Sequence, residues 1–277
     1  MIKVAVCGAM GKMGASVLGL LSEDGEAEAF CGIDARAKSA DGNCVGDNGV
    51  DDKRVGGNGV DGACGVVKIY GSFGEMYAEK GKPDVIIDFS SPDALEGELD
   101  YAITRGVPTV IGTTGFTHEQ IKQIKRASRE VAIFRTANFS VGVSLLCELV
   151  RRTAEVLGSK FDIEIIERHH NKKVDAPSGT AKLLAECVNG AFDCAMPTVC
   201  GREGFTGKRG REIGVHAVRG GTVVGEHEVC FFGEDEIITL SHSATSKRVF
   251  AAGAIAAAKW LYNMPAGLYD MKNLLND

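Results

Sequence analysis

The first half of the chain alternates short apolar runs with segments whose apolar residues recur at helical spacing. The apolar, β-rich runs cover residues 2–7, 27–33, 84–89, 107–111 and 131–134, and helical patterns lie around 17–23, 93–105 and 117–129. Strands that alternate with helices predict a doubly wound parallel sheet. Each predicted strand is followed by glycine or small polar residues. Ligands in such sheets bind at the carboxyl ends of the strands.

The pattern changes near Asn138, where a second type of architecture begins. Residues 161–166 alternate apolar and polar positions, as a half-buried antiparallel strand does. Further strands are expected at 213–219, 222–232 and 235–243, and helices at 142–157, after Ser178 and at about 247–262. We therefore expect two domains, an α/β domain formed by residues 1–137 and 246–277, and an α+β domain with a mixed sheet formed by residues 138–245.

Residues 35–66 are rich in Gly, Asp and Asn, and Asn-Gly-Val-Asp occurs twice, at 48–51 and 58–61. Asp and Asn offer oxygen ligands, so a calcium loop is one interpretation. The ligand spacing of an EF-hand is missing, which favours an ordinary surface loop. The sequence leaves the order and the role of the 41–66 segment open.

Composition and charge exclude several classes of protein. The chain has 277 residues with 31 basic and 37 acidic side chains, a net charge of −6 that argues against nucleic-acid or anionic-membrane partners. It contains no apolar run of about 18 residues, the length that crosses a membrane. Nine cysteines, an odd number without a Cys-x-x-Cys pair, favour reduced thiols. The N-terminus enters a strand directly, so we expect a cytoplasmic protein.

A glycine-rich loop follows the first predicted strand. Gly8, Gly11 and Gly14 stand where a βα turn places backbone amides against a pyrophosphate. The spacing differs from the usual Gly-x-Gly-x-x-Gly, and a purely structural turn is the alternative. The position between strand and helix favours dinucleotide binding and a Rossmann-like sheet.

Asp34 ends the second predicted strand, 20 residues after Gly14. A carboxylate there accepts both ribose hydroxyls of NADH and repels the 2′-phosphate of NADPH. Lys12 and Arg36 are nearby cations that would instead hold that phosphate. The sequence therefore favours NADH and leaves NADPH open. The loops 112–115 and 136–140 close two later strands and offer backbone groups to the nicotinamide half.

The segment 167–180 carries most of the candidate chemistry. It combines His169 and His170 with Lys173 and a Ser-Gly-Thr turn that precedes a helical pattern. Helix amides and a nearby ammonium favour an anion, which suggests capture of a carboxylated small molecule. His169 and Lys173 are suited to deliver protons. A metal shared by the two histidines is disfavoured because adjacent strand residues point to opposite faces, and a solvated basic loop is the remaining alternative.

These motifs together resemble a known family. The chain is similar to the 4-hydroxy-tetrahydrodipicolinate (dihydrodipicolinate) reductases of lysine and diaminopimelate biosynthesis. The resemblance rests on Gly8 to Gly14, on Val110 to Gly115, on Ala137 to Gly142 and above all on Glu164 to Thr180, with support from 202–204, 225–227 and 267–271. It covers nearly the whole chain and keeps the order of the motifs.

The resemblance implies a role for individual residues. It makes His169 the proton donor and acceptor, Lys173 the proton donor and His170 a substrate ligand. Ser178, Gly179 and Thr180 would hold a substrate carboxylate. The implied cofactor contacts are Gly8, Ala9, Met10, Gly11, Lys12, Met13, Gly14, Asp34, Gly112, Thr113, Thr114, Ala137, Asn138 and Phe139. No metal is implied.

The resemblance also implies a reaction, the NAD(P)H-dependent reduction of 4-hydroxy-tetrahydrodipicolinate to tetrahydrodipicolinate with loss of water. Residues 1–137 and 246–277 would bind NADH or NADPH, and residues 138–245 would bind a cyclic dicarboxylate and form a homotetramer. Two positions depart from the family pattern: Asn171-Lys172 precedes Lys173, and Ala35 stands where some members place an arginine that grips the 2′-phosphate. The alternatives are a nucleotide sensor without catalysis and a reductase of an amino-acid semialdehyde.

Overall fold

The chain divides into two compact units. The computed structural model describes residues 1–37, 67–193 and 195–276. The first unit comprises Met1–Phe139 and Ala251–Asp277, and the second comprises Ser140–Phe250. The 41–66 segment, with its calcium alternative, lies outside the described residues. Within the described part of the chain, no helix combines the length and hydropathy needed to cross a bilayer.

The N-terminal part of the first unit alternates strands and helices. Its elements are β1 (Ile2–Cys7), α1 (Lys12–Leu21), β2 (Ala27–Ile33), β3 (Ile69–Tyr70), α2 (Phe73–Lys80), β4 (Val85–Asp88), α3 (Leu95–Arg105), β5 (Thr109–Ile111), α4 (His118–Ala127) and β6 (Ala132–Arg135). Two of the helices begin at hydroxyl caps, since Ser72 accepts from the Glu75 amide and Thr117 from the Gln120 amide. Such caps satisfy amides that have no partner within the helix.

The second unit contains a second set of elements. They are α5 (Val141–Leu157), β7 (Asp162–His169), α6 (Gly179–Asn189), β8 (Thr198–Cys200), β9 (Ile213–Arg219), β10 (Gly225–Phe232) and β11 (Ile237–Ala244). The chain then passes through α7 (Arg248–Leu261) into the first unit, which it completes with β12 (Gly267–Tyr269) and α8 (Met271–Leu275).

The first unit is built on a seven-stranded sheet with the order β12-β6-β5-β4-β1-β2-β3. Neighbouring strands pair in parallel. The order β3-β2-β1-β4-β5-β6 is that of dinucleotide-binding sheets, and its direction reverses between β1 and β4. The expected Rossmann-like parallel sheet is therefore confirmed, and the reversal places the β1 and β4 loops at the usual ligand crevice.

Burial on both faces explains why the strands of the first sheet appear in the sequence as continuous apolar runs. Val4, Ala5 and Val6 are fully buried in β1, and Ile86 and Ile87 in β4. Helices cover such a sheet on both faces, so that odd- and even-numbered side chains of a strand are both shielded from water. One cluster joins β1, β2 and β4 to α2 and α3 through Phe30, Met76 and Tyr101, and another joins β5 and β6 to α3 and α4.

The second unit has a five-stranded sheet with the order β11-β10-β7-β9-β8. β10 pairs antiparallel with both β7 and β11, whereas β7–β9 and β8–β9 are parallel. The expected α+β domain with a mixed sheet is thus confirmed. Along β7, buried and partly buried residues alternate from Ile163 to His169. Helices α5 and α6 cover the buried face through Leu146, Val150, Leu184 and Val188.

Five elements have no counterpart among the predicted ones. β3, β8 and β12 contain only two or three residues, and so short a run shows no periodicity. Helices α2 and α8 contain 8 and 5 residues, too few for a clear apolar stripe. β7 is also longer than predicted, because it continues through the polar Glu167 and His169.

Helix α7 packs closely enough to require a glycine. A Cβ at Gly253 would lie 1.8 Å from the Phe139 carbonyl oxygen. Gly19 in α1 has nothing within 4 Å of the same position. We expect Gly253→Ala to lower the unfolding free energy of the first unit by about 1–3 kcal/mol, as overpacking does.

Gly19→Ala is the matched control, since it should raise stability by about 0.5–1 kcal/mol through helix propensity. Denaturant unfolding followed by fluorescence of Trp260, the one tryptophan of the chain, measures both. Equal stability of the two variants would contradict the close approach.

Candidate functional site

The predicted cofactor residues of the first unit follow the carboxyl ends of its strands. Gly8 to Gly14 follow β1, Asp34 follows β2, Gly112 to Thr114 follow β5, and Ala137 to Phe139 follow β6. Because parallel strands present these ends at one edge, the loops share that edge of the sheet. The structure thus brings together backbone groups that are far apart in sequence.

The glycine loop has a shape that other residues would not allow. Gly8 has φ +71°, and a Cβ there would lie 2.2 Å from the Phe89 carbonyl oxygen. At Gly14 a Cβ would lie 2.2 Å from the Gly8 carbonyl oxygen, so the helix start approaches the turn without side chains between them. The Gly11 amide donates to the Gly8 carbonyl at 2.9 Å. Tight glycine turns before a helix are typical of loops that bind phosphate groups.

Asp34 is tied into this loop by several hydrogen bonds. Its carboxylate accepts from the Met10 amide at 3.0 Å and from the Arg36 Nε and Nη2 atoms at 2.8 Å each. The Arg36 hydrogen bonds lower the pKa of Asp34 to about 2 against the effect of burial. Asp34 is therefore ionised. Its partner Arg36 is one of the two cations considered above as ligands of a 2′-phosphate.

A cavity of about 820 Å³ opens beside Asp34 within the first unit. Gly8, Gly11, Asp34, Ala35 and Arg36 form part of its wall. The remaining wall includes residues that sequence reasoning missed, among them Ser72, Phe73, Ser90 and Tyr101. The Ser72 cap of α2, three residues before Glu75, was the available signal for a helix beginning here.

The other predicted cofactor residues vary in exposure. Met10 is 43% exposed, whereas Ala9 is buried. Lys12, the second cation offered for a phosphate, is exposed at the first position of α1. Thr113 is buried after β5, and the buried Phe139 ring stacks against Phe134 after β6. These positions are suitable for the proposed contacts, which stay a prediction.

In the second unit, one face of the sheet changes from apolar to polar along its length. On β7 this face carries Ile163 and Ile165 and then Glu167 and His169, all buried. On β10 it carries Phe231 and Val229 and then His227. Register places Glu167 opposite His227 and His169 opposite Arg219 of β9. The polar groups therefore meet at one end of an otherwise apolar face.

Glu167 is the centre of this polar group. Its Oε2 atom lies 2.6 Å from His169 Nδ1 and accepts from Arg219 Nη1 at 2.6 Å, and its Oε1 atom accepts from Arg219 Nη2 at 2.8 Å. Oε1 also accepts from the Ser178 amide at 2.9 Å. Burial raises the pKa of Glu167, but the hydrogen bonds from Arg219, His169 and Ser178 outweigh it and lower the pKa to about 2.

Ser178 joins the start of α6 to His227. Its Oγ atom accepts from the Ala181 amide at 3.2 Å and lies 3.0 Å from His227 Nε2. Burial and the nearby His169 lower the pKa of His227 to about 4, so this ring is neutral. Ser178 Oγ thus lies between the Ala181 amide and the His227 ring, and both contacts restrain it.

The remaining predicted residues surround this network. Gly179 and Thr180 are the first two residues of α6, where helix amides face outward and favour an anion. Lys173 Nζ lies 2.8 Å from Asp175 Oδ1, and its side chain is 21% exposed. His170 has a buried Nδ1 atom that finds no hydrogen-bond partner among the described residues. His169, Lys173 and Ser178 thus belong to one short stretch between β7 and α6.

Sequence reasoning missed Glu167 and Arg219 and assigned no role to His227. The signal for Glu167 was its spacing, since strand residues two apart share a face and Glu167 precedes His169 by two. Nothing local marked Arg219, because its approach to Glu167 depends on the β7–β9 pairing. Among the described residues, no group of three or more His, Cys, Asp or Glu side chains is arranged to hold a metal.

Comparison with known proteins covers both units. The family model for the dihydrodipicolinate reductase N-terminus matches residues 2–139, and the model for the C-terminus matches residues 142–275. The 4-hydroxy-tetrahydrodipicolinate reductases of Caldanaerobacter subterraneus subsp. tengcongensis and Methanocorpusculum labreanum are each 41% identical to the chain. The alignments cover 99% of this chain and 98% and 99% of theirs.

Solved structures agree with these relatives. A dipicolinate-bound dihydrodipicolinate reductase from Paenisporosarcina sp. TG-14 superposes with a TM-score of 0.74 at 26% identity, covering 99% of both chains. A diaminopimelate dehydrogenase from Corynebacterium glutamicum, at a TM-score of 0.52 and 13% identity over 99% of this chain and 95% of its own, shares the fold alone. Both halves of the chain, its full-length relatives and its fold place it in the 4-hydroxy-tetrahydrodipicolinate reductase family.

Proposed function

We propose that the protein reduces 4-hydroxy-tetrahydrodipicolinate to tetrahydrodipicolinate, with loss of water, at the expense of NAD(P)H. The observation that carries this proposal is the hydrogen-bonded cluster of Glu167, His169, Ser178 and Arg219 at the start of α6. A relative named 4-hydroxy-tetrahydrodipicolinate reductase is 41% identical to the chain over 99% of its length. The reaction belongs to lysine and diaminopimelate biosynthesis.

The first unit fits a nicotinamide dinucleotide. The turn at Gly8 and the start of α1 at Gly14 are packed too closely for Cβ atoms, which is the backbone arrangement that binds a pyrophosphate at a helix start. The ionised Asp34 accepts ribose hydroxyls, and bound NAD(P)H supplies the hydride. We propose NADH as the preferred cofactor, because Asp34 is ionised and Arg36, its exposed partner, is already engaged by it.

The second unit fits a cyclic dicarboxylate. Gly179 and Thr180 present the amides of a helix start, Lys173 adds a positive charge, and the solved relative binds dipicolinate, which is also a cyclic dicarboxylate. In this assignment one substrate carboxylate takes the place of Asp175 beside Lys173. His170, whose buried Nδ1 atom has no partner in the described structure, is assigned to the substrate.

Proton delivery is assigned to Lys173 and His169. His169 lies at the end of the apolar face of β7, and Lys173 lies in the connection that leads to α6. An ammonium, or a histidine ring protonated on both nitrogens, carries the proton that a carbanion-like carbon requires. A homotetramer built through the second unit and a cytoplasmic location stay predictions. The former rests on the resemblance and the latter on the cysteine content.

Lys173→Ala tests the assigned acid. We expect kcat to fall by about 10²–10⁴-fold, the usual contribution of a general acid, while NADH affinity stays unchanged. The assay follows cofactor oxidation at 340 nm with substrate made in situ by the preceding synthase from pyruvate and aspartate semialdehyde.

Lys172→Ala is the matched control, because the neighbouring Lys172 is exposed and has no assigned role. Its kcat should stay within about twofold of wild type, as for a surface change. Synthase-dependent oxidation that survives in Lys173→Ala would remove Lys173 from the mechanism. No oxidation in a wild-type protein that binds NADH would favour the nucleotide sensor.

Asp34→Asn tests the cofactor preference. The amide still accepts from the Met10 amide but loses the charge that binds ribose hydroxyls. Hydrogen bonds to a charged group contribute about 1.5–3 kcal/mol, so the NADH to NADPH ratio of kcat/KM should fall at least about tenfold. Arg36→Ala should move the ratio in the opposite direction, because it removes the cation that could leave Asp34 to pair with a 2′-phosphate. A ratio unchanged in both variants would contradict the assignment.

A further inference from the structure

Glu167 occupies a position that the family resemblance and the proposed reaction leave without a role. It is fully buried, yet it carries a charge, because its pKa is about 2. A buried carboxylate is costly unless donors surround it. Here four N–H groups do so, two from Arg219 and one each from His169 and Ser178.

These contacts fix the protonation pattern of His169. An ionised carboxylate only accepts hydrogen bonds, so the Nδ1 atom 2.6 Å away must carry a proton. In the neutral ring the Nε2 atom is then the unprotonated nitrogen that exchanges protons with a ligand. A Cβ at Gly225 would come within 3.1 Å of that Nε2 atom, so the glycine keeps a side chain from crowding this nitrogen.

The same carboxylate also holds the Ser178–Thr180 turn, to which a substrate carboxylate is assigned. Its Oε1 atom accepts the Ser178 amide, one residue before α6 begins, while its Oε2 atom faces His169. The proton donor and the helix start are therefore fixed to the two oxygens of one carboxylate. Arg219 bonds both oxygens and prevents rotation of the group.

We propose that Glu167 is the positioning residue of this site. It sets the tautomer of His169 and fixes the distance between His169 and the Ser178–Thr180 turn, with Arg219 as its counter-ion. This inference rests on the proposed function for the role of His169, but the contacts themselves are independent of it. Mutation of a residue that orients a functional histidine through a hydrogen bond typically lowers activity by about 10–100-fold.

Glu167→Gln is the informative variant because every group that faces Glu167 is a donor. A carboxamide has one oxygen and one NH₂ group, so it cannot accept on both sides. If its oxygen faces Ser178, its NH₂ group faces His169 Nδ1 and favours the opposite tautomer. We expect kcat to fall by about 10–100-fold and Glu167→Asp, which keeps the charge, to recover part of the loss.

Glu164→Gln is the matched control on the same strand. Glu164 lies on the opposite face of β7 and accepts from Arg202, Arg209 and His216. Burial raises the pKa of Glu164 and these hydrogen bonds lower it to about 2, as for Glu167. The control removes a similarly paired carboxylate without touching His169. It should leave the His169 tautomer unchanged.

Long-range ¹H–¹⁵N spectra of the histidine side chains read the tautomer directly. The chain has six histidines, and the His169 signals are identified by their absence in His169→Gln. In the neutral His169 ring we expect a protonated Nδ1 and an unprotonated Nε2, in wild type and in Glu164→Gln. We expect a partial or complete change to the other tautomer in Glu167→Gln.

Two results would overturn the proposal. One is a wild-type His169 with its proton on Nε2, which needs no variant and decides the matter even if Glu167→Gln does not fold. The other is a folded Glu167→Gln protein with unchanged tautomer and kcat. A wild type with the expected tautomer but no turnover would instead refute the proposed reaction and leave the Glu167–His169 interaction in place.

Discussion

The pairing of Glu167 with Arg219 is the interaction on which the second unit's site depends. A carboxylate without exposed surface is stable here because a guanidinium bonds both of its oxygens. Removing one partner of such a pair typically costs about 3–5 kcal/mol, because the other charge stays buried. The pair stands where the apolar face of the sheet ends. It therefore allows the polar residues of the site to lie next to the hydrophobic core.

The anion sites proposed for the two units are built differently. The first uses backbone, since the turn at Gly8 and the approach at Gly14 have no space for Cβ atoms. The second combines the backbone amides at the start of α6 with side chains held by other side chains, since Glu167 and His227 contact His169 and Ser178. Backbone sites depend on the absence of Cβ atoms, whereas side-chain sites depend on complete sets of hydrogen bonds. Each kind leaves a different trace in the sequence.

That difference decides how much could be predicted. Glycine spacing after an apolar run marks a turn locally, so the loop at Gly8, the parallel sheet and the importance of the 167–180 segment were accessible from sequence. The part of the cavity wall at Phe73 was not, because β3 and α2 are too short to show a period. Arg219 was inaccessible for another reason, since only the pairing of β7 with β9 brings it to Glu167. Long-range register has no local signature.

The antiparallel register of β7 and β10 has a consequence for how this chain can vary in length. Glu167 lies opposite His227, and side chains alternate between the faces of a strand. A slip of β10 by one residue would therefore present Glu226 or Glu228 to the core. A slip by two would keep the face but place Gly225 or Val229 opposite Glu167. Insertions and deletions compatible with the site are accordingly confined to connections such as residues 220–224, where extra chain leaves both strands in register.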